Sequence, residues 1–154
     1  MASLKETLQS DVKAAMLSKD TISLSTLRMV LSAITNEEVS GKEARELTDA
    51  DVVTVLNREA KKRREASAAY TQANRPELAE TEENELAVIK KYLPEELSSA
   101  DLESIISAAI ATTADAGQTG PSAMGSVMKI VQPQVAGRAD GSAVANLVKQ
   151  LLAQ

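Results

Sequence analysis

Residues 48–73, TDADVVTVLNREAKKRREASAAYTQA, decide the fold. Thr48 followed three positions later by Asp51 resembles a capping box, with Asp in place of the usual Glu, and so marks a helix start. A long helix is expected from there to about Ala73, spanning about 38 Å at the α-helical rise. Pro76 suits the first turn of another helix. That helix carries Leu78, Leu86, Ile89 and Leu93 and is stopped by Pro94. Together the two segments read as a helical hairpin.

Working outward, Leu4, Leu8, Val12 and Met16 recur every four residues and line one face of a helix from about Ser3 to Lys19. Asp20 offers an N-cap to a second helix with Ile22, Leu27, Val30, Leu31 and Ile34. Gly41 marks its end, and Gly41 to Leu47 is a charged connector. The composition shifts after Tyr92-Leu93-Pro94. Residues 95–154 hold three basic groups, Lys129, Arg138 and Lys149, against six acids. Ser98 can cap a helix with Leu102, Ile105, Ile106 and Ile110 on one face, ending before the Asp115 to Gly120 loop. A short helix from about Pro121 presents Met124, Val127, Met128 and Val131, and a last one presents Val144, Leu147, Val148 and Leu151. The expected architecture is all-α: a four-helix unit over residues 1–94, then a three-helix unit over 95–154.

Composition narrows the chemistry. Apolar types make up 44 % of the 154 residues, with no Phe, no Trp and only Tyr70 and Tyr92, which favours helix packing on aliphatic side chains. Without Cys or His there is no thiol nucleophile, no thiolate or imidazole ligand and no near-neutral general base. No metal, no cofactor and no catalytic residues are therefore expected. The N-terminus is amphipathic and mixed in charge, and no eighteen apolar residues run together, so a cytoplasmic protein without a membrane span is expected. A net charge of −5 confines any nucleic-acid binding to a local basic patch.

The densest basic run is Arg58, Lys61, Lys62, Arg63 and Arg64. Either it contacts RNA, or it pairs with Glu77, Glu80, Glu82, Glu83 and Glu85 of the next helix, as solvated hairpin faces commonly do. A turn near Asn74 sets residue i beside roughly 149 − i, so Arg64 is expected to face Glu85. Arg58 is then expected beside Lys90 and Lys91, with Lys61 and Lys62 one turn away. Like charges gathered there repel, which hints at an anionic partner. A second candidate is Gly137-Arg138-Ala139-Asp140-Gly141, just before the last helix. Gly137, Arg138, Gly141 and the helix-start amides could hold a phosphate, or the segment is a tight interhelical turn. Met124 and Met128 read as core rather than as a binding box.

Five collinear stretches carry a family resemblance: residues 27–34 (LRMVLSAI), 58–65 (REAKKRRE), 92–97 (YLPEEL), 124–128 (MGSVM) and 137–141 (GRADG). Together they resemble the YqeY family over nearly the whole chain. That family shares its helical module with the C-terminal tail of the B subunit of the glutamine-dependent tRNA amidotransferase. The resemblance implies a tRNA-binding role, with the amide-transfer chemistry in other domains. It also brings a label of carbon-nitrogen ligase with glutamine as amide donor, which the residues of this chain do not supply alone. Lysines are frequent around the family's glycine turn, where this chain has Gln134, Ala136 and Ser142, and Thr35 stands where a Lys is common.

Three function classes follow. The first is a tRNA-binding or amidotransferase-associated module that contacts folded RNA through backbone phosphates, because so few aromatics leave little base stacking. The second is a protein-interaction adaptor without RNA binding, in which the apolar face of the three-helix unit docks a partner, a tRNA-processing protein being one such partner. The third is an enzyme built on carboxylates, for which adjacent Glu37 and Glu38 diverge by about 100° and form no dyad.

Overall fold

In the computed structural model, which describes residues 1–154, the chain forms seven α-helices and one 3₁₀ turn with no strand. The helices are α1 (Leu4–Ser18), α2 (Thr21–Glu38), α3 (Asp49–Gln72), α4 (Pro76–Lys90), α5 (Ser99–Asp115), α6 (Met124–Val135) and α7 (Gly141–Leu152). The fold is all-α. It divides into two compact units, Met1–Leu93 and Pro94–Gln154.

Local chemistry sets most helix ends. Ser3 and Glu6 close a capping box on α1, Thr48 and Asp51 do so on α3, and Asp20, Ser98 and Asp140 cap α2, α5 and α7. Each cap satisfies a backbone N–H that the first turn leaves without an intrahelical partner. The α1–α2 and α3–α4 turns pass through the left-handed region at Lys19 (φ 59°) and Asn74 (φ 58°). There the next amides reach back, Asp20 N–H to the Ala15 carbonyl (3.0 Å) and Arg75 N–H to that of Tyr70 (2.8 Å). These 6→1 bonds are the helix-ending arrangement usually built on glycine.

Three boundaries differ from expectation. Helix α4 stops at Lys90, short of Leu93 and Pro94, where the Tyr92 and Leu93 amides turn back onto the Ile89 and Lys90 carbonyls. Helix α2 stops at Glu38 rather than Gly41, because the Val39 and Ser40 amides turn back onto the Thr35 and Glu37 carbonyls and the Arg45 amide bonds the Glu38 carbonyl (2.9 Å). After Gly120, Pro121–Ala123 forms a 3₁₀ turn, and the α-helix begins at Met124.

The first unit packs Leu8, Leu27, Val30, Ile34, Val52, Leu56, Leu86 and Ile89 into one core. In the second, Leu102, Ile106, Val127, Val131, Val144 and Val148 form a core of aliphatic groups alone, with Met124 and Met128 half-buried against it. No helix is long and apolar enough to cross a membrane.

Candidate nucleic-acid interface

The basic run lies on α3, and its helical phase divides it. Positions 52, 56, 59, 60 and 63 fall toward the core at the 3.6-residue period. Consequently Glu59 is only 5 % exposed, and Arg63 enters the helix packing beside it. The Arg63 guanidinium lies 3.1 Å from Glu85 and 3.8 Å from Glu59. Its Nε stands 3.4 Å from Glu82, as an ion pair without hydrogen-bond alignment. Lys62 donates to Glu59 from the solvent side (2.9 Å). One guanidinium thus holds three carboxylates together between α3 and α4.

This fixes the hairpin register. It is Arg63 that bonds Glu85, one residue from the expected Arg64, because residue 64 lies about 100° further around the helix. The Arg58 neighbourhood also differs from expectation. Its Nη1 donates to Glu37 Oε2 of α2 (3.1 Å), which puts Arg58 on the α2 flank of α3. Thr81, Asn84 and Glu85 of α4 face Thr21, Ile22 and Ser25 of α2 across a shallow groove. Lys90 follows Thr81 by nine residues, about half a turn around α4, so Arg58 and Lys90 stand on opposite flanks of the hairpin. Lys61, Lys90 and Lys91 are all exposed. Arg58 and Lys62, although paired, keep 53 % and 56 % of their side-chain surface in water.

At the glycine turn, Gly137 takes a left-handed φ of 75°, which only glycine adopts without strain. Arg138 uses both backbone and side chain locally. Its carbonyl accepts from the Leu97 amide (2.9 Å), and its Nε donates to the Glu95 carbonyl (3.1 Å). Asp140 caps α7 through the Ala143 amide (3.3 Å), and a Cβ at Gly141 would meet open space. The segment is a tight turn that ties residues 95–97 to the start of α7. Part of the Arg138 donor set is spent on that tie.

Two constellations escaped sequence reasoning. Arg45, in the connector, bonds Asp51 (3.2 Å) and approaches Glu37 (3.9 Å), so Glu37 touches a guanidinium with each oxygen. The Thr48 amide and hydroxyl, with Arg45 adding to them, hold the Asp51 carboxyl below the usual carboxylate range. The second is Tyr92, whose hydroxyl donates to Asp11 (2.6 Å). Burial, then that bonded carboxylate, pushes the phenol well above the usual tyrosine value. Only the adjacency of Glu37 and Glu38 at the end of α2, where the helix dipole disfavours acids, signalled the first in the sequence. Lys5, Arg45 and Arg58 compensate that pair, Lys5 bonding Glu38 at 2.7 Å.

Comparison with known proteins finds a family model described as "Yqey-like protein" that matches residues 5–152. Among curated proteins, "Altered inheritance of mitochondria protein 41, mitochondrial" of Clavispora lusitaniae is 35 % identical over 90 residues, 58 % of this chain and 51 % of its own length. The Saccharomyces cerevisiae protein of the same name is 32 % identical over 98 residues, 62 % of this chain and 51 % of its own. An uncharacterized protein of Schizosaccharomyces pombe is 39 % identical over 74 residues, 48 % of this chain and 58 % of its own. The chain thus spans about half the length of the curated relatives it matches. The mitochondrial names overturn the cytoplasmic placement expected from the sequence. That expectation rested on the lack of an apolar segment, which speaks to membrane insertion and is silent on which aqueous compartment holds a protein.

Proposed function

The chain belongs to the YqeY-like family, and from that premise we propose a non-catalytic binding module that contacts folded RNA, tRNA in the first instance, through backbone phosphates. Association with the tRNA amidotransferase is the setting that the family resemblance implies. The observation that carries this reading is the solvent-facing side of α3. Lys61 is exposed there, and Arg58 and Lys62 are each more than half exposed despite their ion pairs. Guanidinium and ammonium groups with unspent donors suit phosphate oxygens. Lys90, on the other flank, and Lys91 are further exposed cations, and Arg138 with Gly137 and Gly141 forms a separate, weaker candidate.

The test is binding of a tRNA transcript at several salt concentrations. Affinity should fall steeply with salt, and Lys61→Glu should weaken binding alike across tRNA species, with a salt slope smaller by about one. Lys61 is preferred to Lys62 for this purpose, because a Glu at 62 would face buried Glu59. Absence of affinity above background at low salt refutes the RNA reading.

One observation favours the adaptor instead. Met16, Leu17 and Ile22, at the α1–α2 corner, are 48 %, 86 % and 46 % exposed. Leu17→Lys should then abolish capture of a stoichiometric protein partner while leaving RNA affinity unchanged. Equal capture by both proteins counts against the adaptor.

A further inference from the structure

Arginine 45 lies outside the basic run, yet the fold brings it to Arg58. Its backbone amide is fixed to the Glu38 carbonyl (2.9 Å), and its guanidinium is braced against Asp51 (3.2 Å). The two oxygens of Glu37 then receive one arginine each, Arg45 Nη2 at Oε1 (3.9 Å) and Arg58 Nη1 at Oε2 (3.1 Å). One carboxylate therefore holds two guanidiniums side by side, and both stay half in water, at 54 % and 53 %. Each guanidinium carries five N–H donors. Arg58 spends one of them on Glu37 and Arg45 one on Asp51, since its 3.9 Å approach to Glu37 is an ion pair too long for a hydrogen bond.

We propose that Arg45 and Arg58, aligned by Glu37, form a two-arginine clamp for a single phosphate group. The inference rests on the RNA reading above and deepens it by naming a contact point in the connector between α2 and α3. Glu37 is a positioning residue in this arrangement. It orders two long side chains before the ligand arrives, which lowers the entropy lost on binding, and the planar forks suit phosphate oxygens. Lys61 and Lys62 stand one turn beyond Arg58 on the same helix and add positive charge there.

The experiment uses the full chain and two probes, a tRNA transcript and inorganic phosphate alone. Arg45→Gln and Arg58→Gln should each weaken tRNA binding about five- to tenfold, as loss of a charge-assisted phosphate contact does. The double variant should lower the salt slope by about 0.9, one phosphate's worth, where two separate contacts would lower it by about 1.8. Wild-type affinity kept in Arg45→Gln, or the larger slope change, overturns the clamp while leaving the RNA reading intact. Inorganic phosphate should shift the Nε–H resonances of both arginines with one dissociation constant. Such shifts without tRNA affinity would support the clamp and overturn the RNA reading, whereas absence of shifts at both overturns the clamp. Tyrosine fluorescence in urea checks that each variant is folded, and Arg45→Lys, which keeps the charge and loses the fork, should recover only part of the affinity.

Discussion

Replacing Arg63 by Met tests the charge network inside the hairpin. The side chain is 19 % exposed and its acidic partners Glu59, Glu82 and Glu85 are 7 %, 16 % and 21 % exposed. At the separations of 3.1–3.8 Å and an effective dielectric of about 20, each pair gains about 4–5 kcal/mol of gross attraction. Desolvation of the ions offsets most of that gain. Removing the cation still leaves three carboxylates facing one another, and breaking a buried pair in this way costs about 3–5 kcal/mol. Partial solvation of Glu82 and Glu85 places this loss at the lower end, about 3 kcal/mol. The Met chain fills much of the volume, so a cavity contributes little. Both tyrosines lie in the first unit, so tyrosine fluorescence in urea follows that unit alone. The midpoint should drop by about 1–2 M for a slope of about 2 kcal/mol per M. Adding Glu59→Met should recover part of the loss by replacing the buried pair with apolar groups. A loss below about 1 kcal/mol for Arg63→Met, or no recovery in the double variant, would refute the reasoning.

Two further outcomes can be measured on the same unit. Lys19→Gly should raise its stability by about 0.5–1 kcal/mol, since glycine removes the left-handed strain at φ 59° at some cost in unfolded-chain entropy; a lower urea midpoint contradicts this. Tyr92→Phe should cost about 1 kcal/mol for the lost bond to Asp11. Because the phenol is raised above its unfolded value, its contribution is present below pH ~10 and lost as pH rises beyond it. The wild type should therefore lose stability in alkali faster than the Phe variant, and parallel alkaline limbs would exclude that origin.

Sequence alone determined the helical class and the placement of its elements, because helix signals are local. Thr48 with Asp51, Asp20, Ser98 and Asp140 each cap through a neighbour three residues on, and aliphatic side chains recurring at the helical period leave one solution for which face is buried. Family membership was legible for a related reason, since five short stretches in order survive without any knowledge of their contacts. Tertiary structure alone decided how the charges are used. The run 58–64 reads as one basic block, yet α3 turns Arg63 inward to three glutamates, directs Arg58 to Glu37 on α2, and leaves Lys61 in water. A shift of one residue in hairpin register moves a side chain about 100° around its helix, which no composition reveals. The approach of Arg45 to Arg58 across Glu37 depends on where a connector folds back, and the reach of Tyr92 to Asp11 spans 81 residues of sequence. Helix formation is governed by neighbours in the chain, whereas the partner of a charge is set by packing between helices.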